Sequence, residues 1–384
     1  MEIKRILLII SLMAVLCDCS AEAGKSGDAE PQSNMRVRVS GENCYVSAKM
    51  DANTDIIYWF KKCMANELYT FYDVGLFYNL NPIPVDPSTK PETILNEAYS
   101  DNIGPFLVEN VGWCGGNHTT PDGKKTARNE SFSIFIDGHK VQKDTIANVH
   151  SVRIDVINVI LDTFAIEKVH YDINGNSIAV SAEHKFFNAN PLNVQRYYGM
   201  QSMFEGETMT LTPGGEYSVW TDEADVSSFP ESAYSDFRWF IERSATAFQS
   251  AYLFRTGMGD HKFVDPAEPV FIGHSYGKSY HRLMANHIVK RGDVTFWKGV
   301  YTWGRKPLLD NDSMFAFLGN VEGDAALFIS AFGPSTQTVE LPFSASYIKV
   351  VDNQGGITAK SVGANSVSIT STGKGYAIMS FVNK

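Results

Sequence analysis

The sequence predicts an all-β protein: a large antiparallel β-sandwich followed by a smaller C-terminal β-sandwich module. Three observations carry this expectation. Short segments alternating apolar and polar residues dominate the chain, as strands with one face in a core require. Glycine, asparagine and aspartate cluster between them at hairpin spacing. Segments of helical period are few, and the alternation favours antiparallel over fully buried parallel sheets.

In chain order, Arg36-Val37-Arg38-Val39-Ser40 and Cys44-Tyr45-Val46-Ser47-Ala48 flank Gly41-Glu42-Asn43, a hairpin signal. Residues 56–60 and 69–77 continue the strand pattern, and 131–136 runs into the Asp137-Gly138 turn. Further strands are expected at 149–160, 165–173 and 177–184, the last two joined by Asn174-Gly175-Asn176. Residues 208–212 and 217–220 pair about Pro213-Gly214-Gly215. Short helices are expected only at 91–99 and 232–240. Near residue 320 the strands become shorter and more evenly spaced, at 324–332, 336–341, 347–351, 366–370 and 375–381. The expected organisation is a leader at 1–19, a flexible tether at 20–35, a main domain at 36–320 and a small β module at 321–384.

Composition narrows the functional classes. A chain of 384 residues with 44% hydrophobic content holds one large or two ordinary domains. A net charge of -10 with no basic tract argues against a nucleic-acid partner. The 17 Tyr, 24 Phe and 6 Trp suit sheet cores and also flat surfaces that stack on sugar rings. After the leader the cysteines are Cys44, Cys63 and Cys114, an odd number. A Cys44–Cys63 bridge and free buried thiols both remain open. No Cys-x-x-Cys, zincin or nucleotide-loop motif is present, so neither metal nor cofactor is expected.

The N-terminal segment has the layout of a secretory leader. Lys4 and Arg5 precede an apolar run over 6–16, broken only by Ser11. That run is shorter than the roughly 20 residues a membrane-spanning helix needs. The segment Leu16-Cys17-Asp18-Cys19-Ser20 resembles the lipobox of bacterial lipoproteins. The resemblance implies acylation at Cys19, with Cys17 the other choice, and an exported lipoprotein of the outer membrane, on its periplasmic or outer face. Acyl chains contribute about 0.8 kcal/mol per buried methylene, enough together to hold a soluble domain at a bilayer.

Three clusters carry candidate chemistry. In Val111-Gly112-Trp113-Cys114-Gly115-Gly116-Asn117-His118, paired glycines set Asn117 and His118 side by side on a constrained loop. In Val194-Gln195-Arg196-Tyr197-Tyr198-Gly199-Met200-Gln201, an extended chain puts Arg196 and Tyr198 on one face, and Gly199 allows a bulge. In the run from Phe271 to Arg282, His274, Tyr276, Lys278 and Tyr280 project together from an extended chain.

These residue types suit β-elimination from a uronate-containing glycan. That reaction needs a group to damp the carboxylate charge, a base for the adjacent proton and an acid for the departing glycosidic oxygen. The expected catalytic set is Asn117 to neutralise charge, Arg196 to bind the carboxylate, His118 as base and Tyr197 as acid, with His274 and Tyr276 in reserve. Trp113, Gln201, Lys278 and Tyr280 are the expected substrate-binding residues.

In residue types the set resembles β-sheet polysaccharide lyases, although the Arg-x-Glu-x-Arg and Gln-x-His patterns of jelly-roll alginate lyases are absent. Leader, β-rich body and terminal module together resemble Bacteroidetes glycan-utilisation proteins, which implies an acidic polysaccharide or oligosaccharide as partner. One alternative is a non-catalytic glycan binder with Trp113, Trp220, Trp239 and Trp303 as its platform. Another is a glycoside hydrolase drawing on Asp101, Asp155, Asp172, Glu183 and Glu205. A Gly-x-Ser-x-Gly elbow is lacking, which argues against a serine esterase.

Overall fold

A computed structural model describes residues 34–97, 100–206, 209–211, 217–219, 227–229, 239–254, 270–273, 278–345 and 347–382. The chain divides into two compact units, Met1–Gln32 and Ser33–Lys384, and every described residue belongs to the second. The leader, with Cys17 and Cys19, lies outside the described residues, as do Trp220, His274 and Tyr276.

The second unit is all-β, as its alternation dictates. Among the described residues the strands form five antiparallel sheets. The first sheet is a meander. Strands Met35–Ser40, Asn43–Asp51, Thr54–Cys63, Leu68–Tyr78 and Thr93–Glu97 lie side by side, with Thr145–Val149 on the outer edge. A ten-stranded sheet is centred on Val152–Ile160, Ala165–Asn174, Ser177–Phe186 and Val294–Gly304. A third sheet runs Ser227–Phe229, Val270–Gly273, Lys278–Val289, Leu192–Ser202, Pro105–Val108 and Gly112–Gly115.

The first and third sheets both pack on one face of the large sheet. Phe60 and Phe71 of the first sheet meet the ring of Tyr171, and Phe71 meets Tyr301 and Trp303. Phe106 and Tyr197 of the third sheet meet His184, and Phe106 also packs on Phe186. The opposite face buries Trp239, Tyr252 and Val300 against Phe317, Phe328 and Tyr376 of the C-terminal five-stranded sheet. That sheet in turn covers a three-stranded one through Leu327, Ile329, Val367 and Ile369. Side chains at successive positions therefore enter different cores: Val300 one and Tyr301 the other.

Several expectations are corrected. Residues 91–99 contain the strand Thr93–Glu97 rather than a helix, because Ile94 and Asn96 lie in ladder positions opposite Gly75 and Val74 of Leu68–Tyr78. Of the 232–240 helix, 232–238 lie outside the described residues, while Trp239 and Phe240 open the strand Trp239–Arg243. Cys44, Cys63 and Cys114 are buried thiols. Burial pushes the thiols of Cys44 and Cys114 up to about 12, which keeps them protonated and unreactive.

Candidate functional site

The outer face of the third sheet gathers most of the sequence-predicted residues. Cross-strand partners project to the same side of a sheet. Trp113 is paired with Leu107 and Leu107 with Arg196, so these three form one row. The next row pairs Tyr198 with Arg282. On Lys278–Val289, alternation puts Lys278 and Tyr280 on the face of Arg282.

The rings form a continuous path. Trp113 stacks on His118 at 5.1 Å and on Tyr198 at 5.7 Å. Tyr198 lies 5.1 Å from Tyr280, and the Arg282 guanidinium is 5.6 Å from the Tyr198 ring. An imidazole, two phenols and a guanidinium thus converge beside one indole, with Trp113 and His118 half-buried and Tyr198, Tyr280 and Arg282 buried, at 5, 6 and 5% exposure. The set offers a proton acceptor, a proton donor and a cation for an anionic group.

The loop bearing Asn117 and His118 is held from below by Asn66, which is 0% exposed. The Asn66 amide donates to the carbonyls of Gly116 and His118, each at 2.8 Å. Its oxygen accepts from the Thr126 N–H at 3.0 Å. Gly115 and Gly116 have φ of +75° and +49°, the left-handed turn their spacing suggests. The Asn117 side-chain oxygen accepts from the Ala65 N–H at 3.2 Å. Gly104 anchors the other side. At φ +98°, a Cβ placed there would sit 1.6 Å from the Tyr198 carbonyl oxygen. Only glycine lets this backbone lie against Leu192–Ser202. The bulge expected near Gly199 is present as register shifts on both sides of Tyr198-Gly199, with Met200 at φ +52°.

Tyr197 faces the other way. It is 2% exposed and stacks on Phe106 at 4.2 Å. Its hydroxyl donates to the Ile103 carbonyl at 3.0 Å and accepts from the Trp297 indole at 2.5 Å. Burial holds its phenol well above the ordinary range, while Tyr198, 5% exposed, turns its ring to Trp113 and Tyr280. Arg196 is exposed on the outer face. Gln201 is 4% exposed, and its carbonyl accepts from the Tyr301 hydroxyl at 2.9 Å. Two of the four tryptophans of the glycan-binder alternative are core residues. Trp239 and Trp303 are both 0% exposed, with indoles donating to Ser250 and Asn96. His184 is a core residue, its ring 2.8 Å from the buried Glu167 carboxylate.

Four of the carboxylates considered for a hydrolase, Asp155, Asp172, Glu183 and Glu205, are dispersed or engaged. Asp155 and Asp172 share a face of the large sheet, but Asp155 is held by Arg153 at 3.0 Å and His170 at 2.8 Å. Burial raises Asp172, which lines a cleft of about 320 Å³ with Lys298, Asn320 and Glu322. Glu183 pairs with Lys168, and Glu205 is exposed.

Sequence reasoning missed Asn66, because nothing in Ala65-Asn66-Glu67 signals contacts 50 to 60 residues away. Tyr198 and Arg282 were legible as neighbours of chosen residues. Alternation put Tyr198 beside Arg196, and the Lys278 and Tyr280 face extends to Arg282.

No family model and no curated protein matches this chain. Among solved structures it is similar to a GH36 α-galactosidase, AgaB of Geobacillus stearothermophilus. Identity there is 10% and the TM-score 0.38, over 73% of this chain and 41% of the other. A Paenibacillus xanthan lyase matches at 8% identity and TM-score 0.32, over 93% and 38%. The chondroitin AC lyase of Streptomyces coelicolor A3 matches at 8% identity and TM-score 0.25, over 94% and 51%. The chain spans about two fifths of the α-galactosidase's length.

Proposed function

We propose that this chain is a carbohydrate-active protein whose third-sheet face binds an acidic, uronate-containing glycan and cleaves it by β-elimination. The supporting observation is the ring path Trp113–His118–Tyr198–Tyr280 with Arg282 beside it. Arg282 and Arg196 bind the uronate carboxylate, and Asn117 assists in damping its charge. That makes the adjacent carbon proton more acidic. His118 takes this proton. The electron pair forms the double bond as the glycosidic bond breaks, and Tyr198 protonates the departing oxygen. Trp113 and Tyr280 carry the sugar faces, with Lys278 at the margin. Tyr198 takes the acid role first read at Tyr197, whose hydroxyl is committed to Ile103 and Trp297. Export and lipid anchoring at Cys19 belong to the same reading, since an external polymer requires an external protein.

The test is ultraviolet absorbance against a panel of uronate polymers, because each elimination leaves a conjugated, unsaturated uronate. Product formation that falls about 100-fold or more in both His118→Ala and Tyr198→Phe supports the reading. No absorbance change on any polymer, with binding retained, leaves the glycan-binding alternative, which the aromatic content of the same face favours. Mass spectrometry of the membrane fraction tests the diacylglyceryl thioether at Cys19.

A further inference from the structure

A second aromatic face lies on the first sheet, away from the residues just described. Its register runs Arg38–Tyr45–Trp59–Asp73–Glu97, one residue from each of five adjacent strands. All five therefore project outward together. Tyr45 stacks on Trp59 at 5.4 Å and 20°, and Tyr72 meets Trp59 edge-on at 5.3 Å. The Lys61 ammonium sits 3.9 Å from the Trp59 ring and 3.5 Å from that of Tyr72. Cross-strand pairing alone accounts for aromatic neighbours on a sheet. It does not account for the wall built beside them.

That wall is the segment between Leu68–Tyr78 and Thr93–Glu97, strapped across the sheet's outer face. The Val85 N–H and the Asn79 amide donate to one oxygen of the buried Asp55 carboxylate, at 2.7 and 2.6 Å. Lys49 holds the other oxygen at 2.9 Å. The Ser47 hydroxyl donates to the Val85 carbonyl at 2.6 Å. Arg38 clamps Asp86 with two bonds, at 2.6 and 3.1 Å. Pro91 comes so near the sheet that a Cβ at Gly75 would lie 2.5 Å from it. Between strap and rings is a groove of about 310 Å³ lined by Tyr45, Trp59, Asp73, Thr89, Lys90, Pro91 and Ile94.

The strap is fixed by a buried charge and several hydrogen bonds, so the groove is preformed. It has aromatic and aliphatic sides for the C–H faces of a pyranose. The Asp73 carboxylate and Thr89 hydroxyl supply hydrogen-bonding groups for sugar hydroxyls. Its charge differs from that of the third sheet. Arg38 is engaged by Asp86 and Lys61 lies over two rings, while Asp73 has Glu97 as its cross-strand neighbour. Asp73, with Glu97 beside it, is set against the exposed Lys90 ammonium at the groove, so the lining carries no net positive charge to hold a uronate or sulfated sugar.

We infer that this groove is a second saccharide site, which takes a neutral pyranose unit of a glycan and does no chemistry on it. It stands independently of any elimination at the third sheet.

The test is calorimetric titration of the full chain with neutral oligosaccharides (gluco-, manno-, galacto- and xylo-series) and, separately, with uronate oligosaccharides. The expected result is binding of at least one neutral series, weakened about tenfold or more in both Trp59→Ala and Tyr45→Ala, with uronate binding unchanged. Tyr45→Ala decides the matter if Trp59→Ala does not fold, since Tyr45 is half-exposed. Failure of every neutral series to bind, or binding that survives Tyr45→Ala, overturns the inference. Loss of uronate cleavage in His118→Ala bears only on the third sheet, so the two readings fail separately.

Discussion

The first and third sheets both carry aromatic rows, yet the charged groups beside those rows differ: the first has carboxylates as well as cations, the third an imidazole and guanidinia. On the first sheet, Tyr45 and Trp59 are followed across the ladder by Asp73 and Glu97. On the third, Trp113 and Tyr198 sit beside Arg196, Arg282 and His118. Aromatic rings recognise a sugar face without regard to its charge. The neighbouring ions decide between a neutral and an acidic unit. The two faces also differ in assembly. The first is drawn from consecutive strands between Arg38 and Glu97, so local register builds it. The third joins residues from 113 to 282 and depends on a few positions where distant segments touch.

The largest expected effect breaks the third face where it is most constrained. Gly104→Ala introduces a Cβ that meets a backbone oxygen at 1.6 Å. It is expected to cost more than about 4 kcal/mol, since neither backbone can move without undoing the ladder. Denaturant unfolding measures this, and a loss below 1 kcal/mol, on the order of an ordinary surface change, defeats it. Asn66→Ala comes next. It takes the Asn66 partner from the buried Gly116 carbonyl and the Thr126 N–H, while the His118 carbonyl keeps the Thr126 hydroxyl, at a cost of about 3 kcal/mol. Uronate cleavage should fall with it as His118 loses its seat, while neutral-sugar binding on the first sheet persists.

The same contrast explains what the sequence made legible. The all-β class, the hairpins and the separate C-terminal strands follow from alternation and turn residues, which are local signals. Asn117 and His118 stood out because Gly115-Gly116 marks a tight loop. Tyr197 and Tyr198 could not be told apart from the sequence. Adjacent tyrosines on a strand face opposite ways, and only the packing of Phe106 and Trp297 shows which one is inside. Trp59 attracted no attention because Ile56-Ile57-Tyr58-Trp59-Phe60 reads as a core strand. The structure puts Tyr58 and Phe60 in the core and Trp59 on the surface. The helix expected at 91–99 failed because the strap draws that segment onto the edge of the first sheet.

The two tyrosines give a sharper comparison of intermediate size. Tyr197→Phe strips a partner from the Trp297 indole and the Ile103 carbonyl, so stability should drop by about 1–3 kcal/mol with the catalytic rate nearly unchanged. Tyr198→Phe should instead lose about 100-fold in rate. Equal rate losses in the two variants would remove Tyr198 from the acid role.

The smallest expected effect belongs to the first face and is a matter of sign. Burial, with Glu97 opposite, raises the Asp73 carboxyl from 3.8 to about 6, and Lys61 offsets this only in part. The folded protein therefore binds that proton more tightly than the unfolded chain. The resulting stabilisation is complete below 3.8 and is lost as pH rises through about 6. Asparagine at this position carries no charge to desolvate or repel. Asp73→Asn should accordingly melt with the parent protein in acid and above it once the pH passes about 6. Because Asp73 is half-exposed, solvent screening keeps the difference small. A melting difference that is constant with pH, or that favours the parent at neutral pH, would mean that Asp73 is not held against Glu97. The first face would then lose the charge that distinguishes it from the third.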